Sequence, residues 1–361
     1  MQSTAARILF CLATVAAAGR AHVIGDAAHD ESARRVAREF RPVQVSLHLP
    51  PLAALSPSSN AAYTTATAFE RFGPAVKLRM EGDFLYVESD GLPAHNMMVG
   101  ITAWQQQVPL PQPYRGVNAW RIPLRPVPAP NGGVTIRDRF LRGAIALAAN
   151  GIPIFNPQNN RGEISLEIGE LDEWGGHCGR ADDYHYHVVP LHLQATLGKA
   201  LPVAYALDGY PIHGLTEPDE SAPASLDQWN GHEHAPLGYH YHASKKYPYL
   251  NGGFRGVVVE REEQVDPQPR AQGVREALTQ LRGARITGFK TLSAGRSFAL
   301  AYEVRGQPGK VDYEQVSDGV WRFRFTGTDG TVREETYRAG ERRGGGGRKG
   351  KDGKGRKEDD Q

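Results

Sequence analysis

Histidines give this chain most of its chemical capacity, and they recur in a pattern. Leu171-Asp172-Glu173-Trp174-Gly175-Gly176-His177 is followed by six residues and then Tyr184-His185-Tyr186-His187. Further on, Leu226-Asp227-Gln228-Trp229-Asn230-Gly231-His232 is followed by six residues and then Tyr239-His240-Tyr241-His242. Nine of the 17 aligned positions are identical without a gap, which marks a duplication. Successive side chains of a strand point to opposite faces, so each Tyr-His-Tyr-His puts two histidines on one face and two tyrosines on the other. Neutral imidazole is the commonest metal ligand near neutral pH. His185 with His187, and His240 with His242, can therefore each reach a divalent transition ion. His177 and His232, each on a glycine-led turn, supply a third ligand. Three histidines leave a coordination position open, as in a catalytic site, whereas four protein ligands close it. Copper and zinc both suit imidazole donors, and the affinity order favours copper.

Several neighbours are candidates for additional ligands or for holding the rings. Asp172 and Asp227 recur with the motif and are expected either to orient a histidine ring or to cap the turn. Cys178 follows His177 and is either a soft ligand for copper or an inert thiol. His213 stands where the first copy has Phe155, so it is either a seventh functional histidine or a half-buried strand residue. Trp174, Trp229 and the four tyrosines read as packing. His192 and His234 have no repeat partner and carry no assignment.

The elements that must position these residues also repeat. An apolar strand ending at Asn150-Gly151 is followed by Ile152-Pro153-Ile154. A second ending at Asp208-Gly209 is followed by Tyr210-Pro211-Ile212. Asn-Gly and Asp-Gly between apolar runs are strong hairpin signals. The unit is thus a hairpin followed by Gly-His…Tyr-His-Tyr-His, present over residues 143–187 and 201–242. The expected architecture is one mainly β domain over residues 75–260, with the copies related by a pseudo-twofold axis. If their equivalent faces meet, ligands from both copies converge near that axis; otherwise each copy holds its own ion.

The rest of the chain frames this region. Arg7, the apolar run Ile8–Ala18 and the small residues that follow it read as a signal peptide over residues 1–21, too short to span a membrane. Export would remove Cys11 and leave Cys178 without an intrachain disulfide partner. Residues 22–74 are expected to be a low-complexity leader and residues 261–284 a linker with a short amphipathic helix near Gly273–Leu281. Residues 285–338 are expected to be a small antiparallel meander whose protein partner is unknown. The Gly- and Lys/Arg-rich stretch 339–361 reads as a disordered tail. A net charge of +2 over 361 residues, most of the excess lying in that tail, gives no basic patch for nucleic acid.

The two tetrapeptides, with Asp208-Gly209-Tyr210-Pro211-Ile212 between them and Tyr247-Pro248-Tyr249…Gly253 after, resemble the YHYH domain family of exported proteins. Ser89-Asp90-Gly91-Leu92-Pro93-Ala94-His95 resembles the start of that domain, which adds His95 to the candidate site. Two features depart from the family's pattern: Trp174 and Trp229 stand where members carry Cys, and His213 where an aromatic is commoner. The resemblance names no reaction. Three readings follow: an exported metal-dependent enzyme, a metal-binding protein without turnover, or a cell-surface structural protein whose His/Tyr cluster is a hydrogen-bonded core. No nucleophile triad, phosphate loop or nucleotide fingerprint supports another chemistry.

Overall fold

The computed structural model describes residues 65–293 and 295–339. The signal peptide, nearly all of the leader and the tail beyond residue 339 lie outside the described residues. The last part of the expected leader does not behave as one. Residues 65–70 are helical, and Ala66, Ala68 and Phe69 are buried in the core.

β1 (Lys77–Glu81) and β2 (Phe84–Glu88) form a hairpin around Gly82-Asp83, and β3 (Trp120–Pro123) adds a third antiparallel strand. The short β4 (Val134–Thr135) pairs later in the chain with β13 (Gly253–Phe254). Between them lie the eight strands of the duplicated region. The first copy supplies β5 (Ala144–Ala148), β6 (Pro153–Phe155), β7 (Gly176–Cys178) and β8 (Tyr184–Tyr186). The second supplies β9 (Ala204–Ala206), β10 (Pro211–His213), β11 (Gly231–His234) and β12 (Gly238–His242).

These eight strands form one sheet in the order β11-β12-β10-β9-β5-β6-β8-β7, so the second half is the first read backwards. At its centre β5 and β9 run antiparallel, with Leu147 opposite Tyr205, Ala146 opposite Ala206 and Ala148 opposite Ala204. Leu147 and Tyr205 are equivalent residues of the two repeats, so a pseudo-twofold axis passes between them. Outward from the axis each hairpin strand pairs in parallel with the Tyr-His-Tyr strand of its own copy, Ile154 with Tyr186 and Ile212 with Tyr241. Every residue of β5 and β9 is buried, so both faces of the central strands are covered. That explains their unbroken apolar run in place of alternation.

β14 (Glu260–Arg261) and β15 (Gln264–Val265) form a small hairpin. The helix expected at Gly273–Leu281 is absent, because this stretch makes its hydrogen bonds to the body of the protein instead of to itself. Gln272 N–H donates to Gln112 Oε1, Leu281 N–H donates to Trp104 O, and the Arg275 guanidinium forms two 2.7 Å bonds to Asp182.

The last sheet is the expected five-stranded antiparallel meander: β16 (Ala284–Ser293), β17 (Ser297–Val304), β18 (Gln307–Ser317), β19 (Val320–Thr326) and β20 (Val332–Arg338). Its buried Phe298, Leu300, Tyr313 and Phe323 belong to the same continuous apolar core as the histidine region. Tyr313 Oη–H donates to Pro109 O at 2.8 Å, and the Tyr302 ring lies 5.0 Å from that of Trp104.

Candidate metal centres

Each histidine motif folds as a hairpin whose entry is fixed by an aspartate. Asp172 Oδ1 accepts the N–H groups of Trp174 and Gly176, while Oδ2 accepts Tyr184 Oη–H at 2.8 Å and Met98 N–H at 2.8 Å. Asp227 repeats this with Trp229, Gly231 and Tyr239. Both aspartates therefore cap the turn and tie down a tyrosine, and neither orients a histidine ring. The glycine of each Gly-His step is required by close approach. A Cβ on Gly176 would lie 2.5 Å from Tyr184 Oη and one on Gly231 would lie 2.5 Å from Tyr239 Oη.

His177 and His232 are on strands, not on turns. His177 is directly opposite His185 across β7–β8, and His232 opposite His240 across β11–β12. Cross-strand partners share a face, and so do residues two apart on one strand. His187 and His242 thus complete two triads.

In the first, His187 Nε2 lies 3.0 Å from His177 Nε2 and 3.1 Å from His185 Nε2. The opposite ring nitrogens settle the tautomers. His185 Nδ1 contacts Asp183 O at 2.9 Å and His187 Nδ1 contacts Asn156 O at 2.5 Å. A carbonyl can only accept, so the Nδ1 of His185 and that of His187 carry the proton, and these two rings turn bare Nε2 lone pairs toward each other. Burial, reinforced by the neighbouring rings, holds His177 and His185 well below the ordinary histidine range, and burial brings His187 down to about 4. All three are neutral at physiological pH.

The second triad repeats this geometry. His240 Nε2 is 3.1 Å from both His232 Nε2 and His242 Nε2, while the Nδ1 atoms of His240 and His242 face Gly238 O and Gly214 O at 2.9 and 3.0 Å. It also contains a residue that the repeat pattern did not reveal. Glu217 is buried, with Oε1 at 2.9 Å from His232 Nε2 and 3.2 Å from His242 Nε2, and Oε2 at 3.3 Å from His240 Nε2. Burial raises its pKa, but His242, His240, His232 and His234 together outweigh that and lower it, so the carboxylate is ionised. His234, left unassigned by the sequence, brings Nδ1 to 3.4 Å from Glu217 Oε2 at the half-exposed rim.

An ion about 2.0–2.1 Å from each imidazole nitrogen holds neighbouring nitrogens about 3.0–3.4 Å apart for ordinary coordination angles. Two of the three nitrogen pairs in each triad have that spacing. The ligand atoms of His177, His185 and His187, and those of Glu217, His232, His240 and His242, each lie within 4.8 Å of one another, and each group could hold a metal ion. β8 and β12 are separated by five inter-strand steps, about 24 Å at sheet spacing, so the two groups cannot share one ion.

The remaining candidates lie outside both groups. His95 Nε2 accepts from Tyr186 Oη–H at 2.7 Å on the opposite face of β8, and its ring stacks on Trp174. His213 packs its ring 5.1 Å from that of His240 without joining the ligand atoms. Phe155, its counterpart, stacks on His185 at 3.9 Å. Cys178 is fully buried on the opposite face of β7 from His177, and burial pushes its thiol well up. It is a protonated core residue, not a copper ligand.

A sheet built from duplicated halves, with a buried histidine triad toward each end, defines a class of two-centre, histidine-rich β protein. Residues 119–225 match the family described as YHYH protein, the family that the two tetrapeptides resemble. The match includes the whole first copy and the second as far as Ser225, ending before the second Gly-His segment. No curated protein and no solved structure matches the chain. Among the described residues, no helix is long and apolar enough to cross a membrane.

Proposed function

We propose that this is an exported transition-metal-binding protein that holds one ion in each histidine triad. One observation carries the reading: the buried Nε2 lone pairs of His185 and His187, and those of His240 and His242, face each other at 3.1 Å while their Nδ1 protons are committed to backbone carbonyls. Without a cation these are unsatisfied buried acceptors in mutual repulsion, each costing about 1–3 kcal/mol. A bound ion turns that cost into ligation. The reading in which the His/Tyr cluster is only a hydrogen-bonded core suits the tyrosine face, where Tyr184 and Tyr239 donate to Asp172 and Asp227. It does not suit the His185–His187 and His240–His242 pairs, whose ring protons all point to backbone carbonyls and leave none between the two facing nitrogens.

Copper or zinc fits an imidazole set with no more than one carboxylate. Export follows from the apolar N-terminal run and agrees with the family resemblance. The test is elemental analysis of protein purified from the exported fraction, with electron paramagnetic resonance for Cu(II) and N-terminal sequencing. The expected result is bound copper or zinc and a mature N-terminus between Ala17 and His22. Protein that neither carries nor takes up either metal overturns the reading.

A further inference from the structure

We infer that the two centres have diverged: His177, His185 and His187 form an open centre that accepts a small anionic donor, while Glu217 closes the second. This rests on the proposed metal binding and asks what each site does with its ion.

Two substitutions between the copies carry it. Glu217 follows β10 in a short loop where its own N–H donates to Ser221 O at 3.0 Å and its carbonyl accepts Glu220 N–H at 2.9 Å. The loop after β6 has the same backbone pattern. Asn159 N–H donates to Glu163 O at 2.8 Å and Asn159 O accepts Gly162 N–H at 2.9 Å. Counting from the paired strands, Asn159 is therefore the counterpart of Glu217. Its side chain does not enter the first centre. Asn159 Nδ2 donates to Glu163 and Glu170, and no carboxylate joins the His177, His185 and His187 ligand atoms.

The second substitution lies two residues after each leading histidine. His234 stands there in the second copy, beside Glu217, and Gly179 in the first. The hairpins correspond at this point: His234 pairs with Gly238, and Gly179 N–H donates to Asp183 O. Gly179 has no side chain to cover the triad, and a Cβ there would lie 3.1 Å from His185 Cε1. Both differences remove side chains from the first centre.

The electrostatic consequence follows from ligand charge. A divalent ion held by three neutral imidazoles keeps its full +2 charge, whereas Glu217 reduces the second centre to +1. A centre with three neutral ligands and a free position binds water or an anion as its fourth ligand. The chemical class expected there is a small anionic donor, such as a carboxylate, an azide-like ion or hydroxide.

The full-length chain, stripped of metal and loaded with Co(II), tests this by visible absorption during titration with sodium azide. Two cobalt ions are expected, of which only one responds. The azide-dependent change should disappear in the double variant His185→Ala/His187→Ala and persist in His240→Ala/His242→Ala. The isosteric Glu217→Gln removes the closing charge with little change of shape and should make the second ion respond, roughly doubling the amplitude. An azide response that resides in the second centre, or in neither, overturns the inference while leaving metal binding intact. A chain that takes up no cobalt overturns the metal reading, and this inference with it.

Discussion

Leu147 and Tyr205, equivalent residues of the two repeats, sit opposite one another where β5 meets β9. Their pairing puts the pseudo-twofold axis through the middle of the sheet and sends the histidine triads outward, toward its two ends. The centres must then act separately, and the six histidines are not a coupled set around one ion. Replacing His185 and His187 together by Ala should remove one of two bound ions and leave the other, as should the matching change at His240 and His242. Metal content and affinity of both double variants check this. Loss of both ions from either one contradicts it.

Glu217 is the candidate ligand for which charge matters most. Glu217→Gln keeps the shape of the side chain but removes the anion from among His232, His240 and His242. Affinity at the second centre should fall on the order of 10–100-fold or more, with the first unchanged. Competition with a chromophoric chelator would resolve the two sites.

Acidification should weaken the metal-free protein over a defined range. His177, His185, His187, His213, His232 and His242 have folded-state pKa values below their unfolded value near 6.5, with His187 at about 4 and His213 at about 3. Between those limits the unfolded chain binds more protons than the folded one, so stability rises with pH. The contribution is fully present above about pH 6.5 and is lost progressively as the pH falls toward 4. Thermal melting of metal-free protein across this range checks the slope. Melting that is flat from pH 7 to pH 4 would contradict it.

Arg275 reaches back from beyond β15 to Asp182, in the loop joining β7 and β8, and both side chains are almost completely buried. Arg275→Met should destabilise the chain by about 3–5 kcal/mol, because it leaves a buried carboxylate unpaired. Since Asp182 belongs to the first hairpin, metal at the first centre should weaken more than metal at the second. Shortening the chain to end near residue 265 would also remove Arg275 and the meander residues Phe298, Leu300, Tyr313 and Phe323 that share the core with the histidine region. Soluble expression of that fragment with native metal affinity at the first centre would show that the meander is dispensable.

The duplicated hairpins, the meander and six of the candidate ligands are legible in the sequence because each leaves a local mark. These are Asn-Gly and Asp-Gly turns, alternation, and identical residues at identical spacing. Glu217 leaves none. It lies in an irregular loop, and its counterpart is Asn159, so the repeat comparison that finds the histidines passes over it. Reading the mismatched positions of the two copies, not only the matched ones, would have raised it. His177 and His232 are assigned to turns by their glycines, yet those glycines serve a strand, making room for the hydroxyls of Tyr184 and Tyr239. The stretch 273–281 has a helical apolar pattern, but its backbone groups find partners on the body of the protein, and tertiary context overrides local preference.

Titration of chelator-stripped, full-length protein with Zn(II), followed by calorimetry at neutral pH, tests the central claim most directly. Two ions per chain are expected, with two distinguishable affinities and a rise in melting temperature as the sites fill. Zinc that neither binds nor stabilises the chain would mean that the facing histidine nitrogens are not metal centres.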